Sequence, residues 1–242
     1  MPVQTVTLLS QPLMLTTILN AMNCSMTRIL IMKIAFVGYG KVGAPLADQL
    51  QRLGYDVTLA AKDPNSDNVK KALAKNSNLA IEEPSVAVNN ADIVFLATPF
   101  EANKVALHAL GRELKGKILI DCTNPVGANL THGLNSTQSG SEMIQHLVPD
   151  THVVKAFTIY GYENFENNAY PNYNVKPMMM YCGNDLNAKN IVSNLIAELG
   201  WEPLDVGGLE QALHLEHMTL LWVRMVRVMG HSANMVWAHL SR

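Results

Sequence analysis

The stretch Lys33–Gly43 restricts the fold of this chain more than any other feature. A short apolar run, Ile34–Val37, is followed by Gly38, Gly40 and Gly43, and a helix-forming segment comes next. Strand, glycine turn and helix in this order form the context in which a G-x-G-x-x-G motif binds a dinucleotide. The first glycine allows the tight turn, the second lets the backbone approach a pyrophosphate, and the third lets the helix pack on the strand. The stretch therefore predicts a dinucleotide site.

Length and composition suit one sizeable α/β unit. The chain has 242 residues, 48% of them hydrophobic and 16% charged, and its formal net charge is −2. No basic excess argues for nucleic acid, and no run of 18 uncharged apolar residues predicts a membrane-spanning helix. Cys24, Cys122 and Cys182 have neither a disulfide-framework nor a zinc spacing, which is typical of a reducing compartment. We therefore expect a cytoplasmic protein with no nucleic-acid or membrane partner.

Residues 1–31 differ from the rest of the chain. They carry no charge before Arg28, and they lack the basic start and continuous apolar core of a secretory signal. We interpret 1–31 as an extension that is disordered or not native, with Met26 and Met32 as alternative starts. An amphipathic arm that packs on a partner is the other interpretation.

The tip of the second predicted strand, Tyr55–Ala61, bears on the choice of dinucleotide. Enzymes that use NAD usually carry Asp or Glu there to bind the adenosine ribose. Here Ala61 is followed by Lys62, and a small residue next to a cation suits the 2′-phosphate of NADP. Asp63, at about the customary twenty-residue spacing, argues for NAD, but we place it one step past the strand. The tip favours NADP, and an ordinary solvated charge is the alternative reading of Lys62.

Strands and helices alternate up to residue 157, which predicts a doubly wound, mostly parallel Rossmann-type sheet with a smaller, helix-rich C-terminal portion. Ligands bind at the carboxyl ends of parallel strands. Two of these ends carry polar residues, Thr98-Pro99 and Asn124-Pro125. The Asn124 amide could bond a carboxamide or a ribose, and a plain Asn-Pro turn is the alternative.

Between these two strand ends we predict a helix over Glu101–Leu110. Its apolar spacing indicates that Ala102, Val105, Ala106 and Ala109 face the sheet.

Beyond residue 157 the pattern changes. Residues 158–173 form a loop rich in Tyr and Asn, which could line one side of a pocket for a planar ring or pack on the surface. From Gly207 to the end we predict helix, with apolar residues at helical spacing such as Leu215, Leu221 and Met229. This stripe is too wide for a lone solvated helix, and we expect it to form a homodimer interface.

The sequence offers no clear catalytic residue and no metal site. His214 and His217 flank Glu216, but no third ligand has a fitting spacing and no H-E-x-x-H occurs. No Gly-x-Ser-x-Gly elbow is present, and Cys122 lies on a predicted buried strand. No Lys follows Lys189, which disfavours imine and hydroxy-acid reductases that place a catalytic Lys on a C-terminal helix.

From Met32 to the end the chain resembles the NADPH-dependent coenzyme F420 (5-deazaflavin) reductases, and equally the cytosolic NADPH-binding domain of six-transmembrane metalloreductases. The resemblance rests on the motifs Gly38–Gly43, Ala61-Lys62, Ala97–Glu101, Asp121–Pro125, Val153–Phe157, Cys182–Asp185 and Leu204–Gly207, and on Glu216. Family members usually have Ser-Arg where Ala61 and Lys62 stand, and the metalloreductases have Asn in the position of Thr158. Because Arg forks onto phosphate and Lys is a point charge, the preference for NADP should be weakened without being lost.

The resemblance implies an NADP-binding domain over 32–157 and a smaller C-terminal portion over 158–242. We expect this portion to complete an acceptor pocket and, through its apolar stripe, to form the dimer interface. It implies hydride transfer between NADPH and a small-molecule acceptor, either a deazaflavin such as coenzyme F420 or a flavin (FMN or FAD). Such transfer needs stacked rings and no catalytic side chain. An NADP-binding regulatory or sensor protein without turnover is the alternative function.

Fourteen residues are expected at the cofactor. They are Gly38, Tyr39, Gly40, Lys41, Val42 and Gly43 at the pyrophosphate, Ala61 and Lys62 at the 2′-phosphate, Ala97, Thr98 and Pro99 at the ribose, and Asn124, Pro125 and Ala156 at the nicotinamide.

Overall fold

Eight strands form one sheet in the order β3-β2-β1-β4-β5-β6-β7-β8 in a computed structural model that describes residues 32–242. The predictions for residues 1–31 lie outside the described residues. The strands are β1 (Lys33–Val37), β2 (Asp56–Ala60), β3 (Ala80–Glu82), β4 (Ile93–Leu96), β5 (Ile118–Asp121), β6 (His152–Lys155), β7 (Met178–Gly183) and β8 (Glu202–Asp205).

Eight α-helices connect or flank these strands within the described residues. They are α1 (Gly43–Arg52), α2 (Asp67–Lys75), α3 (Pro84–Asn90), α4 (Asn103–Leu110), α5 (Gly140–Leu147), α6 (Glu163–Glu166), α7 (Leu186–Glu198) and α8 (Ala212–Arg227). Three short 3-10 turns lie at Phe100–Ala102, Ala128–Leu130 and Leu209–Gln211.

The predicted Rossmann-type α/β fold is confirmed. Strands β1 to β6 pair in parallel, as the alternation of strands and helices indicated. Strand β3 was not anticipated, because its three residues are too short to show a period and only partly buried.

The sheet is covered on both faces, which explains why its strands are continuously apolar. In β1, Ile34 and Phe36 belong to one buried cluster, whereas Ala35 and Val37 belong to a second. Helices α1, α7 and α8 contribute buried residues to the first cluster, and α3, α4 and α5 contribute to the second. Because side chains alternate along a strand, only a doubly covered strand buries every residue.

Strand β7 reverses the direction of the sheet. It pairs antiparallel with β6, so that Lys155 lies opposite Cys182, and β8 then pairs parallel with β7. Strands β7 and β8 consequently run in the opposite direction to β1 to β6. Helix α8 follows β8 and passes the end of β6, where Glu216 meets Lys155.

The predicted helix from Gly207 to the end of the chain is wrong at both ends. Helix α8 begins at Ala212 and stops at Arg227, and residues 228–242 follow without regular secondary structure. Those last residues fold back on the protein, because the Trp222 indole donates to the Met235 carbonyl at 2.8 Å and the Met178 amide donates to the Trp237 carbonyl at 3.0 Å. Tertiary hydrogen bonds thus outweigh the helical spacing of the apolar side chains.

The predicted inward face of α4 is also wrong. Val105 is 71% exposed, whereas Asn103, Leu107 and Leu110 are buried. The α-helix starts only at Asn103, after the 3-10 turn Phe100–Ala102, and of the four predicted residues Ala106 alone packs against the second cluster.

A row of aromatic rings connects the parallel strands to the C-terminal portion. Phe36 stacks on Phe95 with ring centroids 4.5 Å apart, and Phe95 lies 5.9 Å from Phe157. Phe157 meets Phe165 edge-on at 6.4 Å, and Phe165 meets Trp201 at 6.2 Å. Phe157 has φ +57°, a left-handed conformation that costs energy in a bulky residue. The packed rings hold this turn directly after β6.

Candidate functional site

The register of the sheet brings the predicted strand ends together. Val37 lies opposite Leu96, Leu96 opposite Asp121, and Asp121 opposite Lys155. The residues that follow these four positions therefore lie side by side along one edge of the sheet, which we call the ligand edge. This is where open α/β sheets bind ligands.

The glycine turn has the geometry that the motif predicted. Gly38 has φ +97°, and a Cβ there would lie 2.5 Å from the Ala97 carbonyl carbon. A Cβ on Gly43 would lie 2.1 Å from the Gly38 carbonyl oxygen. A Cβ on Gly40 would meet no atom within 4 Å. The first and third glycines are therefore needed for packing, whereas the second leaves open space beside the backbone.

Helix α1 begins at this open space without a protein cap. Its N-cap residue is Val42, which makes no side-chain hydrogen bond to the helix, and its first turn carries no acidic residue. Pro45 has no N–H and the Ala44 N–H donates to the Gly40 carbonyl at 3.0 Å, so the Gly43 N–H and the positive end of the helix dipole are what this helix start offers to an anion. Together with the space at Gly40, these features fit the pyrophosphate of a dinucleotide.

The loop that follows β6 contacts the glycine turn. The Lys41 ammonium lies 3.2 Å from the Tyr162 hydroxyl and 4.5 Å from the centre of its ring. On α8, Arg227 lies 5.9 Å from the same ring and pairs with Glu163. Two cations on opposite sides of the site thus share one aromatic ring.

Beyond β2 the predicted phosphate contact, Lys62, is exposed, and Ala61 is buried. Asp63 lies in a turn of its own, where its carboxylate accepts a hydrogen bond from the Asn65 amide at 2.9 Å. A hydrogen bond from Ser85 and, to a smaller extent, the charge of Lys62 lower the pKa of Glu83. Lys62 therefore has a carboxylate nearby with which a phosphate must compete.

At the other end of the ligand edge, Asn124 is held from two sides. Thr219 of α8 donates to the Asn124 carbonyl oxygen at 3.1 Å or to the Thr158 carbonyl at 2.8 Å. The Asn124 amide nitrogen lies 3.4 Å from the same Thr158 carbonyl. Asn124 is half-buried, whereas Pro125 and Ala156 are buried, Ala156 with 0% exposure. Of the three residues predicted at the nicotinamide, Asn124 presents the most surface.

A buried cluster of charges lies directly beneath these turns. The Lys155 ammonium is 3.2 Å from Asp121 and 3.0 Å from Glu216, and all three side chains are 0% exposed. Burial alone would lower the pKa of Lys155, but the two adjacent carboxylates outweigh it and raise this pKa above its usual value. Lys155 also donates to the Thr123 carbonyl at 3.0 Å, so that the charge cluster fixes the turn before Asn124.

His132 completes the cluster as a neutral side chain. Its Nδ1 accepts hydrogen bonds from the Leu134 and Ser136 amides, both at 3.2 Å. Because Nδ1 accepts, the ring proton is on Nε2, which donates to Glu216 at 2.7 Å. Glu216 also accepts the Gly140 amide at 2.9 Å, at the start of α5. Glu216 is thus engaged by a lysine, a histidine and a helix start.

Comparison with known proteins agrees with this geometry. Residues 33–125 match the family model described as NADP oxidoreductase, coenzyme F420-dependent. The chain is related to the coenzyme F420-dependent NADP oxidoreductases. The family resemblance predicted from the motifs is therefore confirmed.

Three relatives extend beyond that segment. Metalloreductase STEAP3 of Rattus norvegicus is 30% identical over 189 residues, which are 78% of this chain and 36% of that protein. The F420-dependent NADP reductase of Methanocaldococcus jannaschii is 29% identical over 206 residues, which are 79% of this chain and 91% of that protein. The crystal structure of a candidate F420-dependent NADP reductase from an Arthrobacter species has a TM-score of 0.74 and 28% identity, and covers 84% of this chain and 96% of that one. The chain spans about a third of the metalloreductase but nearly all of the two reductases.

The sequence motifs did not reveal every residue of the site. Asn103, His132 and Thr219 contact the turns of the ligand edge or the charge cluster below them, and none was singled out from the sequence. An Asn and a Thr within apolar helical runs are the only local signals for two of them. Among the described residues no group of three His, Cys, Asp or Glu side chains could hold a metal, and no helix is long and apolar enough to cross a membrane.

Alanine at the second and third glycines should have opposite effects on folding. Gly43→Ala places a Cβ against the Gly38 carbonyl and should lower the free energy of unfolding by roughly 2–3 kcal/mol. Gly40→Ala meets no atom and should raise it by about 0.4–1 kcal/mol, because alanine restricts the unfolded chain. Urea unfolding followed by circular dichroism measures both. Equal losses in the two variants would contradict the open space at Gly40.

Proposed function

We propose that this protein is an NADP-dependent oxidoreductase that transfers hydride between NADPH and a deazaflavin such as coenzyme F420, or a flavin. The main support is the glycine turn, where an uncapped helix start faces open space at Gly40. Polar side chains of Thr98 and Asn124 continue from this turn along the same ligand edge. The relationship to F420-dependent NADP reductases agrees with a dinucleotide in that position.

The residues of the chain would bind and orient rather than exchange protons. Tyr39–Val42 and the start of α1 would hold the pyrophosphate, and Asn124, fixed by Thr219, would hold the nicotinamide end. The nicotinamide itself supplies or takes the hydride once it is bound. The charged side chains beneath it point into the protein and pair with one another. This agrees with a reaction that depends on stacking and distance.

The C-terminal portion, residues 158–242, would complete the acceptor pocket. Its contacts with the glycine turn through Lys41 and Tyr162, and with Asn124 through Thr219, bring it to both ends of the ligand edge. An acceptor ring would then lie between this portion and the nicotinamide.

Isotope transfer tests the reaction. With NADPH carrying two deuterium atoms at C4 of the nicotinamide, we expect deuterium at C5 of reduced coenzyme F420, measured by mass spectrometry. Because deuterium on N5 of reduced FMN exchanges with water, transfer to FMN is followed instead by the loss of flavin absorbance. Binding of NADPH by titration calorimetry without transfer to either acceptor would contradict the enzyme and support the sensor function. Absence of NADPH binding would contradict both.

Lys62 should determine the preference between NADPH and NADH. Lys62→Ala removes the cation expected at the 2′-phosphate, and we expect NADPH to bind about five- to tenfold more weakly, with NADH nearly unchanged. Lys115→Ala removes another exposed lysine just before β5, at the edge of the sheet away from the glycine turn, and serves as the control. Titration calorimetry gives the dissociation constants, and equal losses for NADPH and NADH would refute the phosphate contact.

We also propose a homodimer formed through α8 and the residues after it. Leu215, Trp222 and Val226 of the apolar stripe are buried in the chain, whereas Leu221 is 51% exposed, Val228 67% and Met229 69%. These three exposed apolar residues lie on the last two turns of α8 and directly after it, where a partner surface would cover them. Light scattering should give twice the mass of the chain, and Leu221→Glu should reduce it to the mass of one chain, whereas Leu186→Glu, at the exposed first residue of α7, should not. A wild-type monomer at micromolar concentration would contradict the dimer.

A further inference from the structure

Asn103 connects the two turns that form the centre of the ligand edge. Its side chain is 0% exposed at the start of α4. Thr98, after β4, lies 2.8 Å from the Asn103 carbonyl oxygen, and Thr123, after β5, lies 2.8 Å from the Asn103 amide nitrogen. A buried amide placed between two hydroxyls leaves each hydroxyl only one way to hydrogen-bond to it.

The direction of this hydrogen-bond chain is fixed at Asp121. One oxygen of Asp121 accepts from the Thr123 hydroxyl at 2.6 Å and the Thr123 amide at 2.9 Å. The other accepts from the Ser141 hydroxyl at 2.6 Å and from Lys155 at 3.2 Å. A carboxylate that is paired with an ammonium and accepts four hydrogen bonds has no proton to donate. The single proton of the Thr123 hydroxyl is therefore committed to Asp121.

The direction of the hydrogen bond at Thr123 determines the directions at Asn103 and Thr98. Since the Thr123 hydroxyl must accept from Asn103, the NH₂ group of the amide faces Thr123 and its carbonyl oxygen faces Thr98. The Thr98 hydroxyl must then donate its only proton to Asn103. Toward a bound ligand, the Thr98 hydroxyl can therefore only accept a hydrogen bond.

Thr98 lies where a bound dinucleotide would pass. Its backbone nitrogen is 2.6 Å from the position of a Cβ on Gly38, so that it borders the glycine turn, and its hydrogen bond to Asn103 is only part-buried. A lone pair attracts an O–H or N–H donor and repels the oxygens of a phosphate.

We infer that Asn103 is a positioning residue that makes Thr98 an obligate hydrogen-bond acceptor, so that this point of the site selects a donor group of the dinucleotide. This inference rests on the proposed function. Two groups of the nicotinamide half supply such a donor, the ribose hydroxyls and the N–H of the carboxamide. Phosphate is excluded from this position and directed to the glycine turn.

Binding of three dinucleotides to matched variants tests the inference. The probes are NADPH, its 3-acetylpyridine analogue, which lacks the carboxamide N–H, and an analogue without hydroxyls on the nicotinamide ribose. We expect Thr98→Val to weaken NADPH about five- to tenfold and Thr98→Ser, which keeps the hydroxyl, less than twofold. For the analogue that lacks the recognised donor, Thr98→Val should bind as the wild type does. That analogue identifies the source of the donor.

Asn103→Leu tests the positioning step. It frees the Thr98 hydroxyl to turn while leaving its lone pairs, so we expect NADPH to bind about two- to threefold more weakly than to the wild type, which is a smaller loss than in Thr98→Val, and the analogue that lacks the recognised donor to bind as it does to the wild type. A merely structural role of Asn103 would weaken NADPH and both analogues equally. If Asn103→Leu does not fold, the Thr98 variants with the two analogues decide alone.

The outcomes separate this inference from the proposed function. A wild-type protein that binds no NADPH would overturn both. A wild-type protein that binds NADPH, with Thr98→Val equally tight or with the same loss for all three probes, would overturn only the role of Thr98 and Asn103.

Discussion

The arrangement of the ligand edge depends on one buried ammonium, that of Lys155. It joins β6 to Asp121 of β5 and to Glu216 of α8, three elements that are distant in the chain. Isolated charges in such a position are strongly disfavoured, and removing one partner of a buried pair typically costs about 3–5 kcal/mol. All three groups are satisfied here, because Ser141, Thr123, Gly140 and His132 supply the remaining hydrogen bonds.

This cluster also explains how α8, which follows the reversed strands β7 and β8, comes to contact the site. The ion pair between Glu216 and Lys155 fixes the position of α8 along β6. One turn further along α8, Thr219 contacts Asn124. At the end of the helix, Arg227 lies near the Tyr162 ring, which Lys41 also contacts. Shifting α8 along its axis would require the buried carboxylate to leave its lysine. The position of the Asn124 amide thereby depends on the ion pair between Lys155 and Glu216, whose side chains are fully buried.

Local patterns in the sequence were sufficient to predict much of the fold and the glycine turn. Buried parallel strands and the steric needs of Gly38 and Gly43 are properties of short segments, and a sequence displays them directly. The end of α8 and the burial of Asn103 depend on contacts with distant residues, such as Met235 with Trp222 and Thr123 with Asn103. Apolar spacing predicted continued helix and an alanine face there, because spacing does not register hydrogen bonds made across the fold.

The reversal of the sheet at β7 divides the motifs of this protein into two kinds. Those after β1, β4 and β5 lie where a nucleotide would bind, whereas Cys182–Asp185 and Leu204–Gly207 belong to β7 and β8 and the turns after them, which run in the reverse direction. There Asp185 caps α7 by accepting the Ala188 amide, and Asp205 pairs with Lys189 at 2.9 Å. These two motifs build the frame of the sheet. A related chain that kept them but lost Gly38 or Gly43 would still be recognised as kin, yet it would have no place for a pyrophosphate.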